Sequence, residues 1–183
     1  MKTIIGLGNP GKEYENTRHN AGRIAVEYFV KKNDLPEFRL DKKSNSFVSK
    51  SGKILAVLPE TFMNKSGFSA AKLFKAKKEN KDLVVVHDDL DLPLGKIKIS
   101  YGKNSGGHKG VESIMRAIKT KNFVRIRIGV ISGKKKPVDI LKFIVGKFKP
   151  DEEKEFKKVL KKTAESLETI IDSSPERAMS EFN

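Results

Sequence analysis

Residues 83–87, Leu-Val-Val-Val-His, form a short apolar run rich in β-branched side chains, which reads as a strand buried on both faces. Such a strand needs a layer of structure on each side. The flanking segments supply it. Residues 3–8 (TIIGLG) read as a second short buried strand ending in glycine, and 22–32 place Ile24, Ala25, Tyr28 and Phe29 on one helical face. Residues 46–50 and 53–58 read as strands around a Ser51-Gly52 turn, and 66–78 as a helix with Ala70, Ala71 and Phe74 turned inward. Ile97 and Ile99 alternate with Lys98 and Ser100, and 123–131 alternate around Arg125 and Arg127, as half-buried strands do. Helices are expected at 110–119 and 137–147. The last helix is announced by Pro150 and Asp151, an acidic first turn, and a stripe of Phe156, Val159, Leu160, Thr163, Leu167 and Ile170.

This order predicts an α/β fold, a mixed and mostly parallel sheet flanked by helices. At 183 residues, with no internal repeat and no Gly, Pro or Ser-rich linker, residues 1–183 are expected to form a single domain.

Composition narrows the function. The absence of cysteine excludes disulfides, thiolate metal sites and a cysteine nucleophile, and leaves three histidines, His19, His87 and His108. No apolar run approaches the roughly 20 residues that span a bilayer, and no charged-then-apolar leader precedes the first strand. A cytoplasmic protein without a membrane partner is expected. Lys and Arg number 38 against 23 Asp and Glu, a net charge of +15 with a pI near 9.8. That balance asks for a polyanion, and the consecutive Lys134, Lys135 and Lys136 are the densest place to hold one.

In open α/β sheets ligands collect beyond the carboxyl ends of the strands, and all three histidines fall in or beside such segments. Gly6, Gly8 and Gly11 form a G-x-G-x-x-G after a strand, the pattern of a dinucleotide-dependent oxidoreductase. Against that reading, Pro10 interrupts the motif and a polar loop through Asn20 follows where a helix should open. The glycines then serve a tight turn against another backbone. His19 is the candidate general base, and Asp88, Asp89 and Asp91 in HDDLDLP are the candidate carboxylates to orient it. Those acidic residues also suit a turn before Leu-Pro-Leu-Gly, or a metal held by His87, Asp88 and Asp91. With no G-x-S-x-G serine, direct attack by water is favoured over an acyl-enzyme. The amides of Asn9 and Asn64 are of the right type to meet a developing oxyanion, although Asn64 also reads as a helix cap.

The segments GLGNPGKEYENTRHNAG (6–22), TFMNKSG (61–67), HDDLDLPLGKIKI (87–99), SGGHKG (105–110) and RIRIGV (125–130), with IVGKF (144–148) and the terminal AMSEFN, resemble bacterial peptidyl-tRNA hydrolase nearly end to end. The resemblance implies an enzyme that hydrolyses the ester between a peptide and the 3' ribose of tRNA, with no metal or other cofactor. By position, His19 resembles the proton acceptor, Asp88 its supporting carboxylate, and Asn9 the residue that tells a blocked peptidyl amide from a free aminoacyl group. Tyr14, Phe62 and Asn64 match positions that hold the tRNA acceptor end, and Met63 and His108 match residues lining the site. Arg127, Lys103 and Lys134 to Lys136 are expected on the phosphate backbone, and the chain is expected to act as a monomer without an obligate protein partner. Two positions depart from the family pattern. Lys109 stands where asparagine is usual, trading a two-way hydrogen-bonder for a cation that only donates. Ser100 stands where a basic residue is usual, which would move the 5' phosphate grip to Lys98, Lys103 or Lys109. A pure RNA-binding module shares the charge, but has no need of a poised base with its carboxylate.

Overall fold

The computed structural model describes residues 1–75, 80–133 and 137–183. Its strands are β1 (Lys2–Gly6), β2 (Arg39–Asp41), β3 (Ser46–Ser51), β4 (Ile54–Pro59), β5 (Asn80–Pro93), β6 (Ile97–Tyr101) and β7 (Phe123–Ile131). They form one sheet in the order β2-β3-β4-β1-β5-β7-β6. The four central strands β4, β1, β5 and β7 are parallel, and the outer strands join them antiparallel. This is the expected mixed α/β sheet, with its parallel part in the centre where both faces are covered.

Alternation along each strand divides the core in two. Ile4, Val84, Val86, Ile126 and Ile128 face one side, where α1 (Ala21–Lys32) and α5 (Pro150–Asp172) bring Val26, Phe29, Val159 and Leu167. Ile5, Leu7, Leu83 and Val85 face the other, under α2 (Ser66–Leu73) and α3 (Lys109–Ile118) with Ala70, Val111 and Ile114. The stripe foreseen on α5 is buried throughout. Removing a fully buried aliphatic such as Leu167 from water stabilises the fold by about 1.5–3 kcal/mol, so these two layers set the strand register.

Several local expectations change. α2 stops at Leu73 with Phe74 extended, and Ala71, on the helix, is exposed rather than inward. The far end of the helix expected over 66–78 lies partly outside the described residues. Between Asp139 and Val145 only a short helix forms, α4 (Ile140–Ile144). HDDLDLP is no turn: β5 runs straight through it beside β7, with a register irregularity between Asp89 and Pro93. Ser100 is buried, directly across from Arg125, although Lys98 on the same face of β6 is exposed.

A terminal helix, α6 (Pro175–Phe182), follows α5, and beyond it the Asn183 side chain meets the outer strand. The amide accepts from the Ile99 N–H at 2.7 Å and donates to the Ile99 carbonyl at 3.0 Å. Among the described residues no helix is long and apolar enough to cross a membrane.

Candidate active site

The carboxyl ends of β1, β4 and β5 lie side by side, and the segments leaving them build the site. A 3₁₀ turn, Arg18–Asn20, leads directly into α1. Gly22 presses this helix onto β5: a β-carbon there would sit 2.1 Å from the Val86 carbonyl oxygen, so only glycine allows the approach. That contact sets His19 against Asp88, 69 positions along the chain.

His19 Nδ1 lies 3.0 Å from both Asp88 carboxylate oxygens. His108 Nε2 reaches Asp88 Oδ1 at 2.8 Å. The proton assignments follow from the partners. His108 heads α3, and its Nδ1 accepts the N–H groups of Gly110 and Val111 at 3.2 and 3.3 Å, so its own proton is on Nε2, donated to Asp88. His19 likewise donates from Nδ1, which leaves a lone pair on Nε2. Asp88 is buried, which alone would raise its pKa. The electrostatic influence of the His108 and His19 rings and the hydrogen bonds both donate outweigh burial and hold the carboxyl well below the usual carboxylate range. It therefore stays ionised. Of the other candidate partners, Asp89 accepts from Arg127 Nε at 2.6 Å, and Asp91 turns its N–H to Asp89.

Asn20 fixes the loop after β1 from two sides. Its Oδ1 accepts the Asn9 N–H at 2.8 Å and its Nδ2 donates to the Asn9 carbonyl at 3.0 Å. Asn9 Oδ1 accepts the Met63 N–H at 2.8 Å, which orients the amide and leaves Nδ2 as the free donor. Three consecutive residues thus brace three segments: Arg18 holds the α4–α5 connection, His19 meets β5 and Asn20 holds the Asn9 loop.

The third histidine is structural. His87 Nδ1 donates to the Asp88 carbonyl at 2.6 Å, and Arg125 Nη1 approaches its Nε2 at 3.4 Å. Burial first, then His108 and Arg125, hold the His87 pKa well below its usual 6.5. Below about pH 6.5 the unfolded chain binds a proton here that the native state refuses, so stability falls with pH by up to about 1.4 kcal/mol per unit from this residue. In urea titrations, the stability gap between wild type and His87→Gln should narrow by about 1 kcal/mol between about pH 7.5 and about pH 5.5. A gap independent of pH would show that His87 carries no such cost.

Arg125 was expected on a half-buried strand, but it is buried. Its Nη2 donates to the Asn104 carbonyl at 2.7 Å and tethers the glycine-rich loop that ends at His108. Burial and the neighbouring Arg127 lower its pKa to about 10, which leaves it cationic. The signal for such a residue is a charge on the helix-covered face of an alternating strand. Asn20, Arg18 and the apolar residues of α4 also escaped sequence reasoning.

A cleft of about 770 Å³ opens over the histidines. It gathers Asn9, His19, Asp88, His108, Phe62, Met63, Asn64 and Lys109 from the sequence-predicted set. One wall is apolar, made by Ile140, Leu141, Ile144 and Val145. Tyr14 stands outside that lining, edge-on to Phe62 with centroids 6.4 Å apart. Arg127 is engaged with Asp89, and Lys98 is its cross-strand neighbour. Lys103 is exposed on the loop after β6. Lys134, Lys135 and Lys136 lie outside the described residues. The metal set considered from sequence is not assembled, since His87 turns to Arg125. His19, Asp88 and His108 do bring three ligand atoms within 4.8 Å of one another. Both histidines lie 2.8–3.0 Å from the Asp88 carboxylate, the distances of hydrogen bonds.

The family model described as peptidyl-tRNA hydrolase matches residues 3–183. The peptidyl-tRNA hydrolase of Aquifex aeolicus is 41% identical over 186 residues, covering 100% of this chain and 96% of that protein. That of Caldanaerobacter subterraneus subsp. tengcongensis is 39% identical over 188 residues, covering 100% of both. The crystal structure of peptidyl-tRNA hydrolase from Acinetobacter baumannii matches with a TM-score of 0.87 at 28% identity, over 100% of this chain and 94% of that one. With the family model, the whole-length identity and the fold in agreement, this chain belongs to the peptidyl-tRNA hydrolase family.

Proposed function

We propose that this chain hydrolyses peptidyl-tRNA by direct attack of water, with His19 as general base and Asp88 as the carboxylate that orients it. The observation that carries the reading is the His19 Nδ1 contact, 3.0 Å from both Asp88 oxygens, which turns the Nε2 lone pair to the cleft. Water gives a proton to Nε2 as its oxygen bonds to the ester carbonyl carbon. Charge then develops on the carbonyl oxygen, where Asn9 Nδ2 and the Asn64 amide can donate. As the tetrahedral intermediate collapses, the imidazolium returns its proton to the departing 3' oxygen, yielding a free peptide carboxyl group and a free tRNA 3' hydroxyl. Asp88 stabilises the transient cation without taking its proton.

The orientation of Asn9 supports a selective role. A peptidyl group offers an amide carbonyl as acceptor to Nδ2, whereas a free aminoacyl group offers an ammonium that only donates. Lys103, Lys109 and the Lys98–Arg127 pair are the cations we assign to the phosphate backbone, with Tyr14 and Phe62 at the acceptor end. We place this activity in the cytoplasm.

The test is release of labelled acyl group from N-blocked and unblocked aminoacyl-tRNA. The blocked form should be cleaved and the unblocked form spared. In Asn9→Asp, the carboxylate still accepts from Met63 N–H but presents an acceptor to the cleft. It should lower the preference for the blocked ester by about tenfold or more, the scale of one mispaired hydrogen-bonding group. An unchanged preference would assign discrimination elsewhere.

A further inference from the structure

Arg18 precedes the proposed base, yet its side chain leaves the cleft and is 5% exposed. Nη1 donates to the Lys147 carbonyl at 2.7 Å and Nη2 to Glu152 at 2.5 Å. The guanidinium carbon lies 4.4 Å from the Phe143 ring centroid and 5.2 Å from that of Phe148. The Arg18 N–H donates to the Gly146 carbonyl at 3.1 Å, and Thr17 pairs with Lys147 as an antiparallel bridge. Every one of these partners lies between the end of α4 and the first turn of α5. Glu152 is itself fixed, accepting from the Lys149 N–H at 2.7 Å and from the Ser132 hydroxyl.

α4 needs such an anchor. It has five residues and buries only Ile144, too little apolar contact to hold a helix of that length in one place. Ile140, Leu141 and Val145 are 43%, 65% and 45% exposed, and all three look into the cleft. A planar cation suits the task, because it stacks on aromatic rings while its fork donates to two acceptors at once.

We infer that Arg18 is the positioning residue that seats α4 as the apolar wall of the cleft, and so sets how tightly apolar side chains of the peptidyl group are held. The inference rests on the hydrolytic reading above. It separates two neighbours in sequence: His19 acts on the ester, and Arg18 acts through α4 on what the ester carries.

Steady-state hydrolysis of N-acetylglycyl-tRNA and N-acetyl-leucyl-leucyl-tRNA tests it in wild type, Arg18→Lys and Phe143→Leu, with thermal melts to confirm folding. Arg18→Lys should raise KM for the leucyl substrate about tenfold and for the glycyl substrate no more than about twofold. Its kcat and the pH profile of kcat should stay those of wild type. Phe143→Leu, which removes only the stacking face, should move the KM ratio the same way by about threefold. Equal KM changes for both substrates would overturn the inference, as would a displaced pH profile, which would mean that Arg18 acts through His19. Should Arg18→Lys fail to fold, an unchanged KM ratio in Phe143→Leu overturns it alone. Cleavage of neither substrate by wild type would remove the hydrolytic reading itself.

Discussion

His19→Ala should lower kcat for ester cleavage by about 10²–10⁴-fold, the usual contribution of a positioned general base, while tRNA affinity stays within about twofold. The separation of the two readouts follows from position. His19 lines the cleft with Nδ1 on Asp88, whereas of the cations assigned to the phosphate backbone only Lys109, at the start of α3, shares that cleft, and Lys98, Arg127 and Lys103 lie on β6, β7 and the loop after β6. Alanine keeps the 3₁₀ turn, since neither Arg18 nor Asn20 uses the imidazole for its own hydrogen bonds. Single-turnover release of labelled peptide and a tRNA binding titration measure the two quantities. A variant that cleaves at near wild-type rate would mean that the base is another group, and the mechanism would fall.

The second large effect is expected at Asp88. Asp88→Asn puts an N–H2 group where one carboxylate oxygen stood. If its oxygen keeps the His108 Nε2 proton, its nitrogen faces His19 Nδ1, and that nitrogen must then accept rather than donate. The proton moves to Nε2, so the ring shows a donor to the water it should deprotonate. Turnover should fall by about 10⁴-fold, as wrong-tautomer variants of hydrolytic triads do, with binding little changed. Stability should change with a characteristic sign. The native carboxyl titrates well below its usual 3.8, so its contribution is complete above that pH and is lost as pH falls below it. The variant lacks this contribution, and its stability disadvantage, read by urea titration, should shrink on acidification below about pH 4. Unchanged turnover in Asp88→Asn would show that another carboxylate serves His19.

The pairing of these two residues was legible because each follows an unmistakable apolar run, His19 in the loop after β1 and Asp88 just past LVVV on β5, and the carboxyl side of such runs is where an α/β sheet places its chemistry. Their partners were harder to see. Arg18 and Arg125 are buried hubs, yet in a chain with 38 basic residues nothing local separates a buried arginine from one that solvates a surface. Arg125 lay in plain alternation with Ile126, and only the glycine-rich loop, whose Asn104 and Ser105 carbonyls its guanidinium meets, turned a half-buried position into a covered one. HDDLDLP misled for a related reason. Its proline and acids favour a turn in isolation, but pairing with β7 keeps the backbone extended through Pro93. A helix was expected over 137–147 with no role for its apolar residues, yet Ile140, Leu141 and Ile144 face the cleft. Sequence periodicity reports that a face is apolar. It does not report whether protein or substrate will cover it.

The Asn183 amide has a consequence for how copies of this protein meet. By answering both polar groups of Ile99 it imitates one residue of a neighbouring strand, so the β6 rim has no free pair there for a foreign chain to dock on. At the opposite rim, β2 has only three residues, with Arg39 exposed beside Leu40. A sheet with one outer strand answered by its own terminal amide and the other only three residues long offers little edge for a second sheet to extend.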